Sequence, residues 1–355
     1  MTTTRTPPEH APLARWRVRA FVVGTALMLA AAAGYSLYAV HRHATQNSTT
    51  KPGSAPLAFS NTVPLSGTPK LLYVSTQLGA GYEHLGEVGA ADPGGSPTLA
   101  SLTCERSYAA AGTLVCLRSE GTLVATQYAE VYRDTGTLKL VDKVPLAGIP
   151  SRARVSADGR MAAWTVFVGG DSYSGPNFST RATIIDLRTG AVIPSLETFT
   201  AYVDGAVYRA VDINYWGVTF SADDDHFYAT MSSGGHIWLV HGDLATKTLR
   251  SVVPDVECPS LSPDGTRIVF KKRVSGSFIA PWRLYALDLK TLKETPLAET
   301  RSIDDQAAWL NDNTVMYQVA QKNGPGYDVW QVSADGTGTP GLLIHDGFSP
   351  AVIGP

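Results

Sequence analysis

Residues 262–270 read Ser-Pro-Asp-Gly-Thr-Arg-Ile-Val-Phe, a tight turn followed at once by a run of β-branched and aromatic character. Similar turns stand at 156–160 (Ser-Ala-Asp-Gly-Arg), at 221–225 (Ser-Ala-Asp-Asp-Asp) and, in degenerate form, at 309–313 (Trp-Leu-Asn-Asp-Asn). Each turn precedes an apolar run, and the turns recur at intervals of about forty to sixty-five residues. A turn and strand repeated at this period are typical of the blades of a β-propeller.

A second repeated pattern predicts an outer hairpin with a polar turn. It is seen at 184–190 (Ile-Ile-Asp-Leu-Arg-Thr-Gly), at 285–291 (Tyr-Ala-Leu-Asp-Leu-Lys-Thr) and at 329–336 (Val-Trp-Gln-Val-Ser-Ala-Asp-Gly). Pairing the two patterns divides the chain into units of one blade each. The predicted units are 70–99, 100–149, 150–198, 199–254, 255–298 and 299–345. The sequence therefore predicts an all-β fold, a six-bladed β-propeller of four-stranded antiparallel blades.

The two ends of this predicted propeller complement each other. The unit at 70–99 lacks an inner strand, whereas residues 347–353 have the character of an inner strand with no hairpin after it. Closing the ring removes an exposed sheet edge. We therefore expect the C-terminal strand to pair near 70–76 and to complete the first blade.

An uncharged segment at 20–40 precedes the propeller. As a helix rising about 1.5 Å per residue, it is long enough for the roughly 30 Å core of a bilayer. Arg15, Arg17 and Arg19 lie on its N-terminal side, and this excess of arginine predicts a cytoplasmic N-terminus. The alternative is a cleavable signal peptide with its apolar region at 21–29, which would leave a secreted protein.

The chain is thus predicted to have four parts. They are a disordered cytoplasmic tail at 1–19, a single-pass transmembrane signal anchor at 20–40, a flexible linker at 41–69 and the propeller at 70–355. With either interpretation of the N-terminal segment, the propeller lies outside the cytoplasm, at the cell membrane or secreted.

The overall charge argues against a nucleic-acid partner. The formal net charge is −2, so the composition indicates no basic face. We expect a monomeric propeller that meets the membrane through residues 20–40 and binds a protein or peptide in the cell envelope.

The repeat resembles that of a known propeller family. Residues 262–270, followed by Leu-Tyr-Ala-Leu-Asp-Leu at 284–289, resemble the TolB-like unit, which reads Ser-Pro-Asp-Gly, a strand, a gap and then Ile-Tyr-x-x-Asp. The resemblance covers roughly 70–353, and other units depart from it, for example by Ala157 and Ala222 in place of proline.

This resemblance implies a periplasmic protein-binding propeller that serves an envelope complex. TolB-like proteins carry an additional N-terminal domain where this chain has a transmembrane segment and a tether, so the role in that complex does not carry over. The Ala-, Gly- and Thr-rich composition and the anchor also resemble exported TolB-like proteins of high-GC Gram-positive bacteria.

Two of the three cysteines are candidates for a disulfide. Cys104 and Cys116 are predicted on adjacent strands of the second unit, on either side of a turn at 109–112. Cross-strand neighbours have Cβ atoms close enough for a bridge, which an oxidising exterior would preserve. The alternative is a pair of buried free thiols. Cys258 is expected to be free and buried.

Aromatic side chains supply the candidate binding residues. Tyr173 and Phe178 belong to a long polar loop, and Tyr215 and Trp216 belong to the fourth unit. Together they would offer an apolar face to a protein or peptide. Packing between blades is the alternative explanation for most aromatics, with Tyr173 and Phe178 as the exceptions.

The acidic residues are interpreted mainly as turn residues. Those of the repeated turns are Asp158, Asp223, Asp264 and Asp312. The run at 223–225 could bind calcium through its carboxylates, but a solvated turn is the favoured interpretation. Asp304 and Asp305 raise the same two possibilities.

No catalytic or cofactor-binding residue is predicted. Ser172 and Ser174 do not fit a nucleophile elbow, and the histidines lack the spacing of metal ligands. The first hypothesis is therefore a non-catalytic protein- or peptide-binding scaffold. The alternatives are a propeller enzyme, such as a metal-assisted hydrolase or lactonase of a small molecule, and a module that binds cell-wall glycans or acts as a sensor.

Overall fold

The structure consists of an N-terminal helix and a β-propeller. The computed structural model describes residues 19–32, 34–36, 58–121, 125–168, 178–277 and 279–354. It divides into two compact units, of which the first contains the helix and the second the propeller.

Helix α1 spans Arg19–Ser36 and is, within the described residues, the one helix long and apolar enough to cross a membrane. Its apolar side chains are exposed, among them Leu27 and Met28, whereas a core helix would bury them. Ser36 Oγ donates a hydrogen bond to the carbonyl of Ala32 at 2.8 Å, so this hydroxyl is satisfied within the helix. The same length and composition also suit a signal sequence.

Six sheets make up the propeller, which confirms the predicted fold class. Blades 1 to 3 are built from β1 (Ala58–Ser60), β2 (Lys70–Ser75), β3 (His84–Gly89), β4 (Thr98–Thr103), β5 (Arg106–Ala110), β6 (Thr113–Glu120), β7 (Thr126–Asp134), β8 (Leu138–Pro145), β9 (Ile149–Val155), β10 (Met161–Val168), β11 (Ser179–Asp186) and β12 (Ala191–Ile193). Strands β1–β4 belong to blade 1, β5–β8 to blade 2 and β9–β12 to blade 3.

A short 3-10 helix at Leu196–Thr198 leads into the other three blades. These are built from β13 (Thr200–Val203), β14 (Ala206–Tyr208), β15 (Asn214–Phe220), β16 (His226–Ser233), β17 (His236–Asp243), β18 (Thr248–Pro254), β19 (Glu257–Leu261), β20 (Arg267–Arg273), β21 (Trp282–Asp288), β22 (Glu294–Pro296), β23 (Ala308–Asn311), β24 (Thr314–Ala320), β25 (Tyr327–Ser333), β26 (Gly341–Ile344) and β27 (Gly347–Ile353). Blade 4 holds β13–β18, blade 5 holds β19–β22, and blade 6 holds β23–β26.

The last strand closes the ring. Strand β27 pairs antiparallel with β2, in a register that joins Lys70 to Ile353 and Ser75 to Gly347. It is therefore the innermost strand of blade 1, in a sheet whose other four strands, β1–β4, come from the beginning of the propeller. The predicted pairing of the C-terminal strand near 70–76 is confirmed.

The Ser-Pro-Asp-Gly turn of blade 5 shows why this sequence turns tightly. Ser262 Oγ donates to Asp264 Oδ1 at 2.5 Å and accepts the backbone N–H of Arg267 at 3.0 Å. In blade 3, Ser156 Oγ likewise donates to Asp158 Oδ1 at 2.8 Å. These side chains satisfy turn groups that the ladder leaves unpaired, so each repeat begins with its own cap.

Two blades carry additional strands at their outer edges. In blade 4, β13 pairs parallel with β18, and β14 extends the sheet to six strands. In blade 1, β1 pairs parallel with β4. Strand β4 at 98–103 belongs to blade 1, so the predicted border between the first two units, at 99/100, was too early.

The predicted flexible linker at 41–69 was too long. Residues from 58 onward belong to the propeller, because β1 joins the sheet of blade 1 and because Val63 and Leu65 are 2% and 1% exposed. The backbone N–H of Leu65 also donates to Asp134 Oδ2 at 2.8 Å. Two apolar side chains in a polar segment are enough to hold it against the core.

The hydrophobic core lies between neighbouring blades. The cluster between blades 3 and 4 includes Met161, Ile184, Phe199, Tyr215 and Phe227, each 8% exposed or less. Burying side chains of this size contributes about 1.5–3 kcal/mol each. These layers fix the innermost strands, on which the candidate site is built.

Candidate functional site

The innermost strands surround a central channel. They are β5, β9, β15, β19, β23 and β27. Several of these strands contact their neighbours in the ring, including β5 with β9 and β15 with β19. The end of the channel at which these strands begin is here called the mouth.

Two arginines of β9 cross the channel. Arg152 Nη2 lies 3.4 Å from Asp304 Oδ1, and Arg154 Nη2 donates to the carbonyl of Ala307 at 3.1 Å. The guanidinium of Arg154 also lies 4.3 Å above the ring of Tyr108. The space left among these side chains is only about 20 Å³, so the channel is blocked below its mouth.

A charged cluster stands beside the crossing arginines. Lys271 is fully buried, and its Nζ lies 2.5 Å from Asp304 Oδ1 and 3.6 Å from Glu257 Oε2. The ammonium sits 4.0 Å above the ring of Trp282, whose Nε1 donates to Glu257 Oε1 at 2.9 Å. A buried charge is tolerated only when it is paired in this way.

The electrostatics of Asp304 follow from these contacts. Burial would raise the pKa of its carboxyl group, but the positive charges of Lys271 and Arg152 outweigh that effect and hold the pKa below its usual range. Asp304 is therefore an ionised partner of two cations. A carboxylate held in this state is a poor general base at neutral pH.

Above the blocked part, the mouth widens into a cavity of about 440 Å³. Its wall combines apolar and polar side chains, and includes Arg106, Phe167, Asp304, Gln318 and Tyr327. Cavities of this size and character are typical of ligand sites. This mouth cavity is the candidate functional site.

The predicted aromatic residues fall into three groups. Tyr215 and Trp216 are 2% and 0% exposed, so the prediction that they form an exposed binding face was wrong. They lie on an innermost strand, where a large side chain must pack against the next blade. Phe178 packs edge-on against Trp216, with ring centroids 5.3 Å apart, and against Phe167. Tyr173 lies outside the described residues.

Three of the four predicted turn aspartates cap their own turns. Asp158 accepts the N–H of Arg160 at 3.0 Å, Asp264 that of Thr266 at 3.0 Å, and Asp223 that of His226 at 3.0 Å. These turns lie at the opposite end of the innermost strands from the mouth. They are structural residues, as the sequence indicated.

Asp312 has a different role from the other three. Its Oδ1 accepts the N–H of Asp264 at 3.0 Å, so it joins the turn of blade 6 to that of blade 5. The turn of blade 6 is capped instead by Asn311, whose Oδ1 accepts the backbone N–H of Asn313 at 2.9 Å. The degenerate sequence of this turn therefore marks a contact between blades.

The candidate calcium ligands do not converge. Asp223 Oδ2 lies 2.7 Å from His226 Nδ1, whereas Asp224 is buried against Asp158 of the neighbouring blade. In the part of the chain that the structure describes, no group of three or more His, Cys, Asp or Glu side chains could hold a metal ion. The side chain of Asp304 is 42% exposed, so it is solvated as the sequence suggested, but it also pairs with Arg152 and Lys271 at the mouth.

The structure joins Cys104 to Cys116, with Cα atoms 5.4 Å apart. Cys104 lies in the link between β4 and β5, two residues before β5 and thus outside the strand on which it was predicted, while Cys116 lies on β6. The bridge therefore ties the passage from blade 1 to blade 2. Cys258 is free and buried, as expected, and burial raises the pKa of its thiol.

The sequence reasoning missed the residues of the mouth. Arg106, Arg152 and Lys271 come from three different blades, so no local motif contains them. One signal was available: the segment at 151–155 reads Ser-Arg-Ala-Arg-Val, and two arginines in a predicted inner strand have to face a polar space.

Comparisons with known proteins bear on the fold. No protein-family model matches the sequence, and a comparison with curated proteins finds no match. Among solved structures, TolB from Acinetobacter baumannii is 18% identical, covers 82% of this chain and 68% of its own, and has a TM-score of 0.57. A chain of the nidogen/laminin complex is 8% identical over 80% of this chain and 98% of its own, with a TM-score of 0.52.

A puromycin-hydrolyzing peptidase of Mycobacterium tuberculosis is 13% identical, with a TM-score of 0.45. The match covers 74% of this chain but only 42% of the peptidase, and a likeness at this level carries no argument about activity. At identities this low, the comparisons show the fold alone. In fold, this chain is a six-bladed propeller similar to TolB, as the repeat predicted.

Proposed function

We propose that this chain is a non-catalytic binding scaffold of the cell envelope, a propeller tethered outside the cytoplasm by helix α1. Its partner is a protein or peptide that is captured at the mouth of the channel. The observation that carries this proposal is the mouth cavity of about 440 Å³, which is part apolar, part charged and blocked at its base.

Rigidity of the site supports a binding role. The cavity is walled by the ends of innermost strands and by side chains already held by hydrogen bonds, such as Gln318, whose amide oxygen accepts a hydrogen bond from Arg106 Nη1 at 3.3 Å. Because these groups are already ordered, the propeller loses little conformational entropy when a partner binds.

The chemistry of the mouth also supports binding over catalysis. Its carboxylates are engaged: Asp304 with Lys271 and Arg152, and Glu257 with Lys271 and the indole of Trp282. A general acid or base has to gain or lose a proton near neutral pH. Carboxylates that neutralise buried cations do not provide one.

A photocrosslinking experiment tests the binding role. A photoreactive amino acid replaces Ile149, which is 48% exposed at the rim of the cavity, in the full chain expressed in its native envelope. The matched control is Val192, which is 43% exposed on an outer strand of the same blade. We expect a discrete crosslinked protein from position 149 and none from position 192. Equal capture at both positions, or capture at neither, would overturn the proposal.

A second experiment tests the tether. Epitope tags are placed at both ends of the full chain, and intact cells are treated with an external protease. We expect a protected N-terminal tag, an accessible C-terminal tag and a chain that stays in the membrane after carbonate extraction. A shortened chain in the medium would show that the N-terminal segment is a cleaved signal.

A further inference from the structure

The mouth cavity contains one cation that differs from its neighbours. Arg106 begins β5, and its Nη1 donates to the neutral amide oxygen of Gln318 at 3.3 Å. The planar group also lies 4.9 Å from the ring of Phe348. Among the described residues, no carboxylate forms an ion pair with Arg106 within 4.0 Å.

The other cations of the channel are engaged differently. Lys271 and Arg152 both reach Asp304, and Arg154 donates to a backbone carbonyl below the cavity. A guanidinium carries five N–H donors in a planar fork, and Arg106 uses one of them on an uncharged partner. Arg106 thus keeps donors for a ligand.

Electrostatics favour an anion at this position. Burial, followed by the positive charge of Arg152, lowers the pKa of Arg106 by more than the negative charges of Asp305 and Asp304 raise it. A bound negative charge would relieve both effects, because it replaces lost hydration and screens the neighbouring cation.

The charge balance limits which anion fits. The charged side chains that line or cross the channel in the described part of the chain are Arg106, Arg152, Arg154, Lys271, Glu257, Asp304 and Asp305. Four cations against three carboxylates leave a formal excess of one positive charge. A monoanion neutralises that excess, whereas a phosphate dianion would leave the channel with one uncompensated negative charge beside three carboxylates.

We propose that the mouth cavity binds a carboxylate group, held by the guanidinium fork of Arg106, with the adjoining apolar part of the ligand against Phe167 and Tyr327. Both aromatic residues line the same cavity as Arg106. A carboxylate matches two parallel N–H donors of an arginine, which gives the contact its geometry.

This inference rests on the proposed function for the identity of the ligand, which is a carboxylate of a peptide partner. The carboxylate could be the chain end of the peptide or the side chain of an acidic residue. A small carboxylic acid would satisfy the same contact. These sources share one chemistry and are separated by the probes below.

Binding is measured by isothermal titration calorimetry on the full chain in mild detergent. The probes are 3-phenylpropionate, its neutral amide, the peptide acid Ac-Ala-Ala-Phe, the blocked peptide Ac-Ala-Ala-Phe-amide and Ac-Ala-Glu-Phe-amide. We expect the acids to bind and their neutral amides to bind at least tenfold more weakly. Binding of Ac-Ala-Ala-Phe would indicate that the site takes the chain end of a peptide, and binding of Ac-Ala-Glu-Phe-amide would indicate an acidic side chain. Binding of 3-phenylpropionate alone would indicate that the ligand is a small carboxylic acid.

The arginine is tested by substitution. Arg106→Gln should weaken binding of the acids at least tenfold, and Arg106→Lys should weaken it less, since it keeps the charge and loses the fork. Arg188→Gln is the control, an exposed arginine paired with Asp186 on the outer turn of blade 3. Acids that bind Arg106→Gln and the unchanged chain equally well would overturn the inference.

A measurement without substitution covers the case in which Arg106→Gln does not fold. Phenylglyoxal labelling of Arg106 in the unchanged chain, read by peptide mass mapping, should slow several-fold when the best-binding acid is present. Unchanged labelling would overturn the inference. If the crosslink from position 149 succeeds and no acid binds, this inference fails while the proposed function stands. If acids bind and no protein is captured, the proposed function fails instead.

Discussion

Shortening Ile353 to alanine tests whether the C-terminal strand completes blade 1 in solution. Ile353 is 3% exposed and belongs to a buried cluster that includes Leu72, Val74 and Phe348. This cluster combines residues from both ends of the propeller, so the side chain of Ile353 contributes to the free energy of unfolding only if the ring is closed.

The expected magnitude follows from the burial. Replacing a core isoleucine by alanine costs about 2–5 kcal/mol, because the lost transfer energy is joined by the cost of the cavity. A domain of ordinary stability has about 5–15 kcal/mol in total. With a loss of about 3 kcal/mol and an m-value of about 3 kcal/mol/M, the urea midpoint should fall by about 1 M.

The assay is urea unfolding of the full chain in mild detergent, followed by tryptophan fluorescence. Val192→Ala is the matched control, since it removes similar atoms from a side chain that is 43% exposed on an outer strand. This control should change the free energy of unfolding by no more than about 0.5 kcal/mol. Equal midpoints for Ile353→Ala and Val192→Ala would refute the closed ring.

Three further predictions concern stability. Burial, and then the neighbouring Asp158, raise the pKa of Asp224, so the chain loses stability as pH rises through that folded-state value. Asp224→Asn should therefore be about 1 kcal/mol more stable at pH 7, with a gap that closes toward pH ~4, as pH-dependent thermal melts would show. Gly217 has a φ of +67° and its added Cβ would lie 2.8 Å from the backbone of β19, so Gly217→Ala should cost more than about 1 kcal/mol in urea unfolding. Reducing the Cys104–Cys116 bridge should cost up to about 3 kcal/mol by the loop-entropy model, and mass mapping of unreduced, exported protein that finds both thiols alkylated would contradict the bridge.

The fold could be predicted because its signals are local. Each repeated turn carries its own cap, as Ser262 and Asp264 do, and each is followed by a strand. The closure at Gly347–Ile353 could be predicted as well, because one unit lacked an inner strand and the chain held an unassigned one. The extent of the linker could not, because two apolar residues, Val63 and Leu65, decide it by tertiary packing.

The site could not be predicted in the same way. Arg152 and Asp304 are 152 positions apart, and only the arrangement of the blades brings them together. Tyr215 and Trp216 were misassigned for a related reason: aromatic residues suit a binding face and a layer between blades equally well, and sequence spacing does not distinguish the two. A charged residue on an inner strand is the more useful signal, since burial forces it to find a partner.

The outer pairing of β1 has a mechanical consequence. A pull on the N-terminal side of the chain would load three residue pairs between β1 and β4 first, then the anchorage of Val63 and Leu65. Their release would free residues 58–69 as slack, about 40 Å when fully extended, before any tension reached β2 and the joint that seals the ring. A load from the N-terminal side would therefore be borne first by β1 and residues 61–69, before it reached the strand pair that closes the ring.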